Sequence, residues 1–155
     1  MTSAASTDVK EVIFINQDVV GEFAALPDEV KEAADFRISI VQNGGRLPAA
    51  HVRKLRGQLA GISEIRAGYN DDTYRVYFAA EFEKALYLLD AGIKKSPKGG
   101  EIPRWQIERL QARMSQARAH YERCAAAIED RFQARRAARF ALQAAAEALH
   151  GDDLP

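Results

Sequence analysis

The chain has one cysteine, Cys124, and three widely spaced histidines, His51, His120 and His150. A lone thiol forms no intramolecular disulfide, and with no second cysteine nearby these histidines make no metal-ligand cluster. No run of about 18 apolar residues occurs, so no segment reads as a membrane-spanning helix. The opening MTSAASTDVK has neither the basic start nor the apolar stretch of a secretory signal, and the expected location is the cytoplasm. Net charge is missing too, with 22 Lys and Arg set against 22 Asp and Glu. A neutral chain lacks the long-range pull of a uniformly basic protein on a polyanion, so attraction of that kind has to come from charge gathered on one face.

What is present describes one domain. At 155 residues, 47% hydrophobic and 28% charged, the chain is composed like an ordinary globular protein with its own core. Lys plus Arg against Asp plus Glu is 4 to 8 over residues 1–50, 9 to 6 over 51–100 and 9 to 8 over 101–155, so only the middle third is basic. After a flexible N-terminus over residues 1–10, the run from Val12 to Ile15 suits a buried first strand. Helical spacing follows at Val19, Val20, Phe23 and Leu26. It continues after Pro27 and Asp28 at Val30, Ala33, Ala34, Ile38 and Val41, giving two helices closed by Asn43-Gly44-Gly45. Residues 46–60 read as a connection carrying Arg46, Arg53, Lys54 and Arg56.

Three strands are then expected, roughly Gly61 to Tyr69, Thr73 to Ala79 and Lys84 to Ile93. Asn70-Asp71-Asp72 turns the first into the second. Alternation along a strand puts Glu64 and Arg66 on one side of the first, and Thr73, Arg75 and Tyr77 together on the second, with Arg75 on the wetter face. The third strand is apolar enough to be central and leads into the cationic loop Lys94-Lys95-Ser96-Pro97-Lys98-Gly99-Gly100. From Ile102 to His150 the chain is helix, in one or two pieces. Ile107, Leu110, Met114, Ala117 and Tyr121 form a stripe able to pack on the sheet. The fold class is α+β: a small antiparallel sheet, two N-terminal helices on one face, polar residues on the other, and a long C-terminal helical extension.

Four pieces in order resemble a known family. They are Lys54-Leu55-Arg56-Gly57-Gln58-Leu59, Glu64-Ile65-Arg66, Tyr74-Arg75-Val76-Tyr77 and Lys94-Lys95-Ser96-Pro97-Lys98. In this the chain resembles the phage-derived, HigB-like branch of the RelE/HigB toxins, over roughly residues 11–120. The resemblance implies a RelE-like fold and the toxin half of a type II toxin-antitoxin pair. Such a toxin is a metal-independent, cofactor-free endoribonuclease that enters the ribosomal A site, cuts mRNA there, and is held inactive by a cognate antitoxin, expected to be of helix-turn-helix type. Residues 121–155 extend beyond the family pattern; their Ala- and Arg-rich helix could dimerise, contact rRNA through Arg131, Arg135, Arg136 and Arg139, or cover the toxin's own cationic face.

The chemistry of such a cut sets the candidate residues. Attack by the 2′-hydroxyl needs a base, a proton for the 5′-oxygen, and cations for the charge that builds on the phosphorane. Arg66 and Arg75 suit the last task as planar, permanently charged forks, and Lys94 and Lys95 as point charges or proton carriers. Arg53, Lys54, Arg56 and Lys98 are expected to hold the RNA backbone. Tyr69, Tyr74 and Tyr77 are candidates to stack on a base or donate a proton, though Tyr74 and Phe78 also suit the core. Structural readings stand beside these: Arg66 has Glu64, Asp71 or Asp72 as ion-pair partners, the lysine run fits a solvated loop, and the histidines and Cys124 are assigned no chemistry. The same scaffold without nuclease chemistry, as in ParE-like gyrase toxins, or a pure interaction module are the competing functions.

Overall fold

The computed structural model describes residues 9–94 and 101–153. Residues 1–8, in the expected N-terminal tail, and 95–100, in the expected cationic loop, lie outside the described residues. Along the chain come β1 (Glu11–Phe14), α1 (Gln17–Ala24), α2 (Asp28–Gln42), β2 (Val52–Lys54), β3 (Ser63–Tyr69), β4 (Asp72–Ala79), β5 (Ala85–Ile93), α3 (Arg104–Arg123) and α4 (Ala125–Asp153). The sheet has five strands in the order β1-β5-β4-β3-β2. Among the described residues no helix is long and apolar enough to cross a membrane.

The sheet is mixed, which corrects the expectation of a purely antiparallel one. After β1 the chain crosses one face through α1 and α2, enters the sheet at its far edge as β2, and returns by three antiparallel pairings until β5 lies parallel beside β1. The first strand is therefore a half-buried edge, not a buried interior strand. The connection expected over residues 46–60 contains β2, a strand of three residues too short to show an alternation in sequence.

Local chemistry explains the elements. Asn16 caps α1 by accepting from the Val19 N–H at 3.0 Å, and Asp28 and Glu29 lie in the first turn of α2, where they complement the helix dipole. Asn70 and Asp71 both take positive φ, 51° and 67°, between the paired residues Tyr69 and Asp72. This is a two-residue hairpin of the type whose twist matches its strands, and Asn and Asp tolerate it better than other non-glycine residues.

Two cores sandwich the sheet. On one face Val19, Phe23, Leu26, Val30, Ala34 and Ile38 of the α1–α2 segment meet Ile65, Val76, Phe78, Leu86, Leu88 and Ala91. On the other, Leu110, Met114 and Ala117 of α3 meet Ile62, Tyr77, Ala79, Tyr87 and Leu89. The second face is thus covered by α3 rather than left to polar residues. Strand β5 is apolar on both sides, and such a strand needs a helix on each.

The C-terminal helix breaks at Cys124, and α4 departs from there. Its first turns are anchored by buried Ile128 and Phe132, by Lys84 paired with Glu129, and by Arg131 and Arg135 on Glu11 at 2.8 and 3.3 Å. Every side chain from 140 to 150 is exposed, including Leu142 at 72%. A chain ended before Phe140 is therefore expected to unfold in urea within about 0.5 kcal/mol of the full one. Ending it before Ala125 removes both buried anchors and is expected to cost about 3–6 kcal/mol, at about 1.5–3 kcal/mol for each large apolar side chain.

Candidate functional site

Strand register lays two rows across the face that carries α3. Arg53 lies opposite Glu64, Glu64 opposite Tyr77 and Tyr77 opposite Asp90, while the next row outward runs Arg66, Arg75 and Gly92. Alternation carries the pattern one step further, to Gly68 and Thr73, which are opposite one another, and to Lys94, whose N–H donates to the Thr73 carbonyl at 2.7 Å. This outer stretch of sheet is therefore floored by small residues, and among the described residues a Cβ placed on Gly92 would meet nothing within 4 Å.

Glu64 is the hub of the first row. Its carboxylate has no solvent exposure and accepts from Arg66 Nε at 2.9 Å and from the Tyr77 hydroxyl at 2.9 Å. Arg53 Nε and Arg75 Nη1 lie at 3.5 and 3.4 Å from its two oxygens. A buried carboxylate is tolerated only with such partners. Burial, and then the charge of Glu64, push the Tyr77 phenol well above its usual range, so it stays protonated and donates. One carboxylate faces three guanidiniums, which leaves about two positive charges in excess within this cluster.

Asp90 anchors a second cluster. The β4–β5 register passes from Tyr77/Asp90 to Phe78/Leu88, skipping Leu89, and this bulge turns Asp90 toward α3. Arg109 grips it with two nitrogens, Nη2 at 2.8 Å and Nε at 3.1 Å, and Gln106 adds a bond at 3.3 Å. Arg113 reaches the Leu89 carbonyl at 2.9 Å and both oxygens of Glu22 at 3.1 and 3.2 Å, where α1 crosses the edge that β1 leaves open. Burial, together with the hydrogen bond and charge of Asp90, pushes the Glu22 carboxyl above its usual range against the pull of Arg113. Trp105, 49% exposed, has the Arg109 guanidinium 5.0 Å from its ring centroid.

The structure brings together Arg53, Arg66, Arg75 and Tyr77 from the expected set. Arg75 is not on a wet face, however: it is 3% exposed and lies beside Glu64 and Tyr77. Tyr77 is equally buried and presents no ring to a ligand. Tyr74 points to the opposite face and packs against the α1–α2 core, as its position two residues from Val76 requires. Lys54 turns away from Arg53 and, with Arg46, lines a separate cleft of about 550 Å³ between the end of α2 and β2. Arg56 is exposed just before the turn at Gly57–Leu59. Lys94 ends β5 on the Arg75 side, and Lys95 and Lys98 lie outside the described residues.

Sequence reasoning missed Asp90, Arg109, Arg113 and Trp105. One signal was available: an aspartate inside the apolar run of β5 has to find a cation, and Arg109 and Arg113 are spaced by four on the helix that follows. His120 also has a partner, the Tyr87 hydroxyl, 2.7 Å from its Nδ1.

Replacing Glu64 by Ala leaves Arg75 buried without a carboxylate and is expected to destabilise the fold by about 3–5 kcal/mol in urea unfolding. Arg53→Ala and Arg66→Ala, at half-exposed positions, are each expected to change it by about 1 kcal/mol or less.

Among known families, the model described as "Phage derived protein Gp49-like (DUF891)" matches residues 21–115. That span runs from α1 into α3 and takes in every member of both carboxylate clusters. No curated protein matches the chain.

Proposed function

The chain belongs to the Gp49-like family of phage-derived proteins, a family of RelE/HigB-like toxin type, and from that premise we propose that it is the toxin of a type II toxin-antitoxin pair that cuts mRNA on the ribosome. The observation that carries this reading is the Arg66/Arg75 row beside an open, glycine-floored stretch of sheet, with positive charge in excess of the one carboxylate that orders it. A phosphodiester backbone can approach closely only where side chains are small, and Gly68 and Gly92 meet that need.

In this reading Arg66 is the guanidinium that meets the scissile phosphate, being half exposed and held at its Nε by Glu64, with the rest of its fork turned to solvent. Fixed donors of this kind stabilise the dianionic phosphorane because they need no reorganisation as its charge develops. Arg75 acts from below as a positioning residue, fixing Glu64 and adding its field. Arg53 and Lys94 extend the cationic track for the strand, Lys95 and Lys98 stay candidates for the same task on sequence alone, and Trp105 offers a stacking face. The partner that restrains the toxin is an antitoxin protein, and covering this track is the simplest way to silence it.

Induction in a bacterial host should arrest growth and produce new mRNA 5′ ends in translated messages within minutes. Arg66→Ala is expected to lower the cutting rate about 10²–10³-fold while the protein remains folded. Arrest without cuts would overturn the nuclease reading in favour of a toxin acting elsewhere. Because Trp105 is the sole tryptophan, quenching of its fluorescence by a single-stranded oligoribonucleotide provides an independent check, and the quench is expected to weaken steeply as salt is raised.

A further inference from the structure

The Glu64 cluster beside the open row supplies cations but no proton acceptor that reaches solvent. Its arginines are permanently charged, Glu64 is sealed from solvent, and Tyr77 is held protonated. We propose that His51 is the missing group: it takes the proton from the 2′-hydroxyl of the RNA. This rests on the nuclease reading and supplies the base that it requires.

Two observations converge on His51. The first is a small cleft of about 120 Å³ at the edge of the sheet, lined by Ala49, Ala50, His51 and Val52 together with Arg53, Glu64 and Arg66. The second is register. Val52 lies opposite Ile65 and Arg53 opposite Glu64, so His51 comes just before this ladder on one side as Arg66, itself opposite Arg75, comes just after it on the other. The imidazole and the Arg66 guanidinium line the same cleft. Val52 packs into the α1–α2 core, so Arg53, next along β2, falls on the other face with the arginines, and His51 lines the same cleft as Arg53.

The backbone at His51 is held on both sides. Its N–H donates to the Pro48 carbonyl at 2.9 Å, and β2 begins at the next residue. The side chain is exposed and so open to substrate. The charged groups facing the cleft are Arg53, Arg66 and Glu64, and Glu64 is already engaged by both arginines and Tyr77.

A phosphate seated against Arg66 would present its neighbouring 2′-hydroxyl to the imidazole. The neutral ring takes that proton as the 2′-oxygen attacks phosphorus. The bond from phosphorus to the 5′-oxygen breaks, and the 5′-oxygen leaves with a proton from solvent water. The imidazolium then returns its proton to the hydroxide so formed. The products are a 2′,3′-cyclic phosphate and a 5′-hydroxyl, with no oxidant or reductant consumed.

The test is single-turnover cleavage of mRNA in programmed ribosomes by the wild type, His51→Gln and His51→Gly, across a range of pH. Expected are a rate about 10²–10⁴-fold lower in both variants, unchanged ribosome binding, loss of the acid limb of the pH–rate profile, and partial restoration of His51→Gly by added imidazole. Because His51 is exposed, both variants are expected to melt with the wild type. A wild type that cuts while His51→Gln cuts as fast, with the same acid limb, overturns the assignment alone. A wild type that makes no cuts overturns the nuclease reading and the assignment with it.

Discussion

A carboxylate with no contact to water cannot exist alone in this fold, and Glu64 is such a carboxylate. Its two oxygens are shared among side chains from β2, β3 and β4, so the same bonds that make its burial tolerable also hold three strands in one register. Arg66 and Arg75 lie directly opposite each other, a pairing of like charges that is unfavourable on a sheet by itself. Glu64, one step inward, is close enough to neutralise part of both. The positive charge at this end is consequently fixed in position rather than spread over flexible side chains, which is the condition under which a few charges on a neutral protein can bind a phosphate chain.

The second cluster extends this order to the helix layer. A bulge that skips Leu89 turns Asp90 toward α3, and the arginines of α3 lock onto it and onto the carbonyl the bulge releases. The apolar stripe of α3 sets the helix down on Tyr87 and Leu89, and the Asp90 contacts fix how far along the strand it reaches. Tyr77 thus lies in the core that α3 closes, while Gly92, opposite Arg75, lies one step outward along β5 from Asp90. Meanwhile α4 docks near the start of β5 and β1, through Lys84 and Glu11, and its described contacts leave the Glu64 cluster uncovered.

Much of this was legible. The alternation in β3 and β4 predicts that Glu64 and Arg66 share a face and that Arg75 and Tyr77 share one, and the register then makes these the same face. The Asn70-Asp71-Asp72 turn, the two N-terminal helices and the stripe on α3 were all readable from spacing. What misled the reading of Arg75 was the assumption that an arginine in an alternating strand marks the solvent side. Its burial goes with Glu64, a partner 11 residues away in sequence on the neighbouring strand, and no local pattern reports that pairing. Tyr77 was misjudged for the same reason, and of the two readings of Tyr74 the core one holds: aromatic type alone does not distinguish a ring that packs or hydrogen-bonds internally from one that meets a ligand.

By itself the sequence determined the helices, the longer strands and the faces of the residues in β3 and β4, because helix and strand periods are properties of the local backbone. It also determined that positive charge concentrates in the middle third. Only the tertiary structure decided that β1 runs parallel to β5, that α3 closes the second face, that Arg75 is internal while Arg66 is open, and that His51 lines one cleft with Arg53 and Arg66. Those features depend on which distant segments pack together, and the free energy that selects them comes from shared apolar surface and shared carboxylates between segments far apart along the chain.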